Sequence, residues 1–343
     1  MESLKVLVTG FGGDVARGVA FCLKQLNMPI QIIGCGSSVD SPDLIHFDKV
    51  MRVDKISSKE YTACLIRIIR KLGIDLLVPT IDGELSQIAC IKDDIAAING
   101  CQTFVGDSED IHLYQDKLAS VKFLKQKGLA APKTERIQRF ESIDQLLAEF
   151  DLPVVLKPRW GGGSRGVKIV KCQKDLSFIL SQDRDNFLIQ ECLDANGPEF
   201  TTGVYKHRHH GAISQASFER VLYSGSTSFA RSVFHPDIER EIVKISDVIN
   251  LPYFNIQWRW RNNRICPFEI NPRMSGSTLA VLQIFNPLFY FINEVVFPVQ
   301  FSPIIHKREV VMVRGKLELV FGRDEYGQVL AAKSIDDNLM KGG

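Results

Sequence analysis

Glu269-Ile270-Asn271-Pro272-Arg273 sets a carboxylate, an amide and a guanidinium at every second residue. On a β-strand successive side chains alternate between faces, so Glu269, Asn271 and Arg273 are expected to project together while Phe268 and Ile270 point into a core. Just upstream, Asn255 and Gln257 keep the same period against Ile256, Trp258 and Trp260, and Arg261-Asn262-Asn263-Arg264 makes a turn between them. The whole predicts a hairpin with one oxygen-rich face. Such a face is either a wet surface or a site. Acid and amide oxygens are the donors that Mg²⁺ takes, usually together with substrate phosphates. The hairpin therefore calls for a phosphate-binding partner elsewhere in the chain.

The middle of the chain supplies a candidate. Pro153-Val154-Val155-Leu156-Lys157-Pro158 reads as a strand ending in a lysine, and Val167-Lys168-Ile169-Val170 as a second strand. Arg159-Trp160-Gly161-Gly162-Gly163-Ser164-Arg165-Gly166 joins them. Glycines let backbone N–H groups approach an anion, Ser164 adds a donor, and Lys157 is a point charge at the loop's base. No G-K-[ST] opens a helix, so this is not a Walker loop, and a plain hairpin tip is the alternative. Beyond it, Phe187–Leu193 reads as an apolar strand, and Glu199 begins another, Glu199–Val204.

The first third alternates strand and helix: strands at 4–8, 30–34 and 75–78, helices at 14–26, 58–72 and 84–97, and a short strand at 103–105. This predicts a parallel, Rossmann-like sheet with helices on both faces, closing near residue 106. Thr9-Gly10-Phe11-Gly12-Gly13 does not fit G-x-G-x-x-G, because Val15 stands at the third glycine position. The turn either binds another small anion or simply packs tightly. A helical stretch from Asp110 ends at Gly128, with Pro132 as a stop signal.

Composition sets limits on function. The 343 residues carry a net charge of +2 with both signs interleaved, which leaves no nucleic-acid footprint. The eight cysteines contain no C-x-x-C pair and read as reduced thiols. No signal peptide is expected, and the apolar stretch 285–301 is broken by Asn286, Pro287, Asn293, Glu294 and Pro298, so no membrane span is expected either. The expected location is cytoplasmic. Lys206-His207-Arg208-His209-His210 is expected to be a solvated hairpin tip rather than a zinc site. The tail after Gly322 is expected to form a short accessory hairpin followed by disorder.

The order of these parts resembles the ATP-grasp superfamily. It comprises an α/β N-terminal domain, Lys117 in a following helix, Lys157-Pro158 with the glycine loop, Glu191-x-Leu193 with Glu199, Asn255-x-Gln257, and Glu269-x-Asn271-Pro272-Arg273. Within that superfamily the chain looks most like one synthetase half of the carbamoyl-phosphate synthase large chain and its stand-alone relatives. The resemblance implies an α/β architecture with an N-terminal domain over residues 1–106, a first lobe with the glycine loop over 107–186, and a second lobe with the metal site and tail over 187–343. The two lobes together would make an α+β ATP-grasp fold.

By the same resemblance ATP sits between the lobes, with Lys117 and Lys157 near its phosphates and Gly161, Gly162, Gly163, Ser164 and Gly166 closing over them. Gln190, Glu191 and Leu193 form the adenine hinge, and Glu199 holds the ribose. Gln257 and Glu269 hold one Mg²⁺, Glu269 and Asn271 a second, with Mn²⁺ as the alternative ion. Many family members carry an acid where this chain has Gln257. Arg273 steadies charge on the transferred phosphoryl group, and Arg231 either meets the substrate carboxylate or is a surface arginine. Gly12, Gly13 and the loop Pro79–Glu84 would line the substrate side, although Asp82 and Glu84 also suit helix capping.

The implied reaction is phosphorylation of a small-molecule carboxylate by ATP to an acyl phosphate, which an amine or ammonia then attacks. The alternatives are a phosphotransferase that stops at the phosphorylated product and a non-catalytic ATP sensor. The sequence leaves the oligomeric state open, with a homodimer as one alternative, and neither nucleic acid nor membrane is expected among the partners.

Overall fold

The computed structural model describes residues 3–180, 186–194, 196–208, 213–299 and 301–335, except 302, 304, 307, 316, 317 and 322. At the N-terminus lie β1 (Leu4–Val8), β2 (Ile30–Gly36), β3 (Lys49–Arg52), β4 (Leu76–Val78) and β5 (Gln102–Thr103). They form a parallel sheet in the order β3-β2-β1-β4-β5. Between them run α1 (Asp14–Lys24), α2 (Tyr61–Leu72), α3 (Asp82–Cys90) and α4 (Lys92–Ala96). Alternation along β1 explains the double-sided packing: Leu4, Val6 and Val8 face α1, whereas Leu7 faces α2 and α3. The parallel sheet agrees with expectation, and β3 is an unforeseen addition at its edge. Gly10 sits at φ +67°, and a Cβ there would stand 2.4 Å from Thr80 Oγ1, so the glycine turn is a tight packing turn against the β4–α3 loop.

Two helices, α5 (Ser108–Gln115) and α6 (Lys117–Gln126), lead onward. The next unit is an antiparallel sheet of β6 (Thr134–Arg136), β7 (Val154–Pro158), β8 (Lys168–Val170) and β9 (Phe187–Glu191), in the order β6-β9-β7-β8. It carries α7 (Ile143–Leu147) and α8 (Gln173–Leu180) and has a small core of its own around Phe140, Leu156 and Ile189. Because β9 is a central strand of this sheet, the first lobe runs past the expected border at 186.

The larger sheet is built from β10 (Glu199–Lys206), β11 (Ile213–Tyr223), β12 (Ser226–Ser232), β13 (Tyr253–Arg261), β14 (Arg264–Asn271) and β15 (Val311–Val313). Their order is β14-β13-β10-β11-β12-β15. Helices α9 (Pro236–Asp247), α10 (Thr278–Val281) and α11 (Pro287–Phe291) accompany it, and a π-helical turn, Ile292–Val296, follows α11. Residues 287–296 are thus a short, largely buried helix that changes pitch, Phe297 and Val299 beyond it are exposed, and no helix among the described residues is long and apolar enough to cross a membrane.

Residues 311–313 join the large sheet as β15. The tail after Gly322 departs from the expected hairpin: a helix, α12 (Arg323–Lys333), runs back to the N-terminal sheet. There Lys333 Nζ donates to the carbonyls of Leu44 (2.9 Å) and Phe47 (2.6 Å). Residues 336–343 lie outside the described residues. All eight cysteines are free; Cys22, Cys35, Cys64, Cys101 and Cys266 are buried, while Cys90 and Cys172 are exposed.

Candidate active site

A cavity opens between the two antiparallel sheets, with the glycine loop over one side. Strand β7 delivers Lys157 into it, 3% exposed, and the ammonium donates to the Phe268 carbonyl of β14 at 3.1 Å. Burial pushes the Lys157 pKa down to about 8; Glu269 opposes the shift and Lys117 adds to it. Lys117 opens α6, whose N-cap is Asp116, accepting from the N–H of Leu118 (3.0 Å) and Ala119 (3.3 Å). Asp116 also grips Arg159 Nε at 2.7 Å, and Lys117 Nζ donates to the Gly161 carbonyl. The two lysines and the base of the loop are therefore one connected unit.

Within the loop Gly161, Ser164 and Gly166 have positive φ, and Gly163 does as well. Two positions are held by close approach. A Cβ on Gly162 would lie 2.3 Å from Asp82 Oδ2, and one on Gly166 would lie 2.9 Å from Pro158 Cγ. The loop is thus seated against the N-terminal domain, with Ser164 at its exposed tip.

At the expected hinge, Gln190, Glu191 and Leu193 all line the cavity. The Gln190 amide turns into the sheet, donating to Thr134 Oγ1 at 2.7 Å. Glu191 accepts from the Lys133 N–H (3.0 Å) and pairs with Arg261 (3.1 Å). Glu199 reaches the cavity with its carboxylate between two guanidiniums, Arg220 (2.7 Å) and Arg259 (3.2 Å). Neither arginine is legible in the sequence, because they come from β11 and β13 and meet Glu199 only through the sheet register.

The far end is the hairpin. Gln257 and Glu269 stand opposite one another in the ladder, both half-buried on the cavity wall, and Asn271 stands opposite Asn255. Asn255 is sheet interior, its amide bonded to Thr201 Oγ1 at 2.9 Å. The register shifts between Gln257 and Trp258, which pairs Trp258 with Pro267 and leaves Phe268 as the extra residue of a bulge. Strict alternation expected Phe268 in the core. The bulge instead puts Phe268 and Glu269 together on the cavity wall.

Arg273 lies two residues beyond the strand and is turned aside. Its Nε donates to Asp82 Oδ1 at 2.6 Å, one terminal nitrogen to Asp82 Oδ2, and the other to the Met274 carbonyl at 2.7 Å. Burial works against its charge, and Asp82 overrides that and raises its pKa above the ordinary arginine value. The Asp82 carboxylate is thus committed to Arg273. Glu84 supplies the capping bond instead, accepting from the N–H groups of Thr80 and Ile81 (2.9 Å each), from Thr9 Oγ1 and from the Tyr61 hydroxyl. Burial raises the Glu84 carboxyl above the usual carboxylate range despite those bonds.

Two expectations are corrected. Arg231 lies on the outer β12–β15 edge of the large sheet, 59% exposed at its side chain, and pairs with Glu219 at 2.7 Å. It lines neither site cavity. His207 is buried, bonded to Glu294 (2.8 Å) and Ser214 (2.9 Å), because Tyr205, Tyr290 and Phe301 wall it off from solvent. His209 and His210 lie outside the described residues.

Among the described residues no three His, Cys, Asp or Glu side chains cluster as metal ligands. Glu269, Gln257 and Asn271 still present a carboxylate and two amide oxygens, hard donors that suit Mg²⁺ when phosphate oxygens complete the shell. A second cavity of about 210 Å³ continues past this end between Asp82, Gln115 and Asn271. The two cavities share Lys117, Trp160, Gly161 and Glu269 as walls.

Comparison with known proteins gives two family matches: a PylC-like N-terminal domain over residues 6–104 and an ATP-grasp domain over residues 114–277. The chain is 26% identical over 232 residues to the carbamoyl phosphate synthase large chain of Thermoplasma acidophilum, covering 62% of this chain and 22% of that one. It is 28% identical over 148 residues to the D-alanine–D-alanine ligase of Desulforudis audaxviator, covering 41% of this chain and 47% of the ligase. The chain thus spans about a fifth of the length of the large chain it matches. In fold it is similar to N5-carboxyaminoimidazole synthetase from Staphylococcus aureus complexed with ADP, with a TM-score of 0.72, 16% identity, and 91% and 83% of the two chains covered. It is also similar to biotin carboxylase from Campylobacter jejuni, with a TM-score of 0.71, 15% identity, and 91% and 76% covered.

Proposed function

We propose, from the ATP-grasp domain matched over residues 114–277, that the chain is an ATP- and Mg²⁺-dependent ligase. It would phosphorylate a small-molecule carboxylate to an acyl phosphate that an amine or ammonia then attacks, releasing ADP and phosphate. The observation that carries this reading is one cavity holding a buried lysine, a glycine loop seated above it and the Glu269–Gln257 pair at its far end. Phosphoryl transfer asks mainly for positioning and for charge to meet the charge that develops. Lys157 and Lys117 meet the phosphates, the backbone of Gly161–Gly166 covers them, and Gln190 to Leu193 with Glu199 line the adenosine side. Glu269, Gln257 and Asn271 would hold Mg²⁺, or Mn²⁺ in its place, which supplies neutralisation of phosphate charge when bound. Acyl phosphate formation turns a hydroxide leaving group into phosphate, so a neutral amine can complete the C–N bond. The second cavity, on the far side of Glu269, is the natural seat for the acid. We place the enzyme in the cytoplasm.

The test is an ADP-release screen against carboxylic acids, amino acids and bicarbonate, each with and without amines. Release that requires both an acid and an amine supports the ligase. Release with acid alone makes the chain a phosphotransferase, and tight ADP binding with no release under any combination makes it a sensor.

A further inference from the structure

Asp82 lies in the N-terminal domain, 191 residues from Arg273, yet holds that guanidinium through both carboxylate oxygens. Side-chain exposure is 13% for Arg273 and 24% for Asp82, so the pair is largely shielded from water. A bidentate fork of this kind fixes orientation as well as charge. The same carboxylate is the seat of the glycine loop, since the space a Cβ would need on Gly162 is filled by Asp82 Oδ2 at 2.3 Å, with Arg273 3.7 Å away. Two further contacts hold the loop down. Lys117 donates to the Gly161 carbonyl, and a Cβ on Gly225 of the β11–β12 turn would meet the Gly163 carbonyl oxygen at 2.3 Å. Asp82 also lines the second cavity.

We propose that Asp82 is a positioning residue that couples the N-terminal domain to the reacting end of the site. It holds Arg273 against the glycine loop and gives that loop its docking point, so that closure of the loop and placement of the guanidinium are one event. Gly162 is the complementary half of the device, because any side chain there displaces the loop from the carboxylate. This rests on the ligase reading for its kinetic consequence; the docking itself does not need turnover.

The test uses the full chain with Asp82→Asn, Asp82→Glu, Gly162→Ala and the Asp82→Ala/Gly162→Ala pair beside Asp82→Ala. Loop docking is read by trypsin cleavage at the exposed Arg165, followed by mass spectrometry with and without ADP and Mg²⁺, and turnover by ADP release. Asp82→Asn should speed cleavage at Arg165 several-fold and lower kcat on the order of 10²-fold, with the KM for ATP changed by less than about threefold. Asp82→Glu should recover part of both. Gly162→Ala should speed cleavage in the parent background and add nothing once Asp82 is alanine, the non-additivity expected of residues in contact. Unchanged cleavage in Asp82→Asn, or additive effects in the pair, would overturn the proposal. If the parent releases ADP with no acid, the ligase reading fails on its own, while the cleavage pattern still decides whether Asp82 seats the loop.

Discussion

Lys157 is the residue whose chemistry the fold changes most. Its pKa near 8 lies well below the roughly 10.4 of an unfolded lysine, so between those values the unfolded chain binds more protons and stability rises with pH. The destabilisation from burying the ammonium is fully present below pH 8 and is relieved as pH climbs above it. Phosphates brought beside it must raise that pKa again. Calorimetric ADP titrations near pH 8.5, in two buffers of different ionisation enthalpy, should therefore register proton uptake that Lys157→Met lacks. Lys157→Ala and Glu269→Gln should each cut ADP formation by about 10²-fold or more while leaving the circular dichroism spectrum intact; unchanged turnover in either would remove that residue from the site. Both were legible in the sequence, one as a lysine ending a strand before glycines, the other as the head of a period-two polar face. The partner of Arg273 was not, because nothing near Asp82 points to a residue 191 positions away. Arg231 misled for the converse reason: its Glu219 partner is set by a strand register that composition does not carry.

At the scale of elements, the start of α6 is where local structure and the site meet. Asp116 caps the helix and anchors Arg159, so Asp116→Ala removes two bonds to backbone and a charged pair together. A loss of about 1–3 kcal/mol in urea denaturation is expected. The KM for ATP should rise alongside, since Lys117 is the next residue; a stability loss with an unchanged KM would uncouple the cap from the site. An Asp directly before a helix with a lysine at its first position is a readable N-cap signal, but a helical stretch taken as continuous from Asp110 hides it. Alternation read the β13–β14 hairpin correctly down to the bulge, which inserts one residue and so reverses the face of Phe268. Strand β3, Lys49–Arg52, escaped because it sets only two buried apolar residues, Val50 and Met51, between charged ends. The tail helix escaped because its anchoring carbonyls belong to the opposite end of the chain.

In the whole molecule the C-terminal segment ties distant parts together. Arg314 bonds Asp14 at the start of α1 (3.0 Å), the Thr227 carbonyl (2.7 Å) and the Gly276 carbonyl. Arg314→Ala should lower the unfolding free energy by about 2 kcal/mol without changing ADP affinity; a weakened ADP complex would show that the strap also shapes the site. The hydrophobic cores follow the same division of labour. Both large clusters mix residues of the N-terminal sheet with residues of the six-stranded sheet, for example Leu7 with Phe254 and Val6 with Tyr205. The glycine-loop lobe alone keeps a separate cluster, drawn wholly from residues between Ile137 and Ile189. In amide hydrogen exchange this lobe should behave as its own foldon. The amides of β6 to β9 would exchange together through a sub-global opening that leaves β1 and β10 protected, and bound nucleotide would slow that opening without altering exchange at the centre of the parallel sheet.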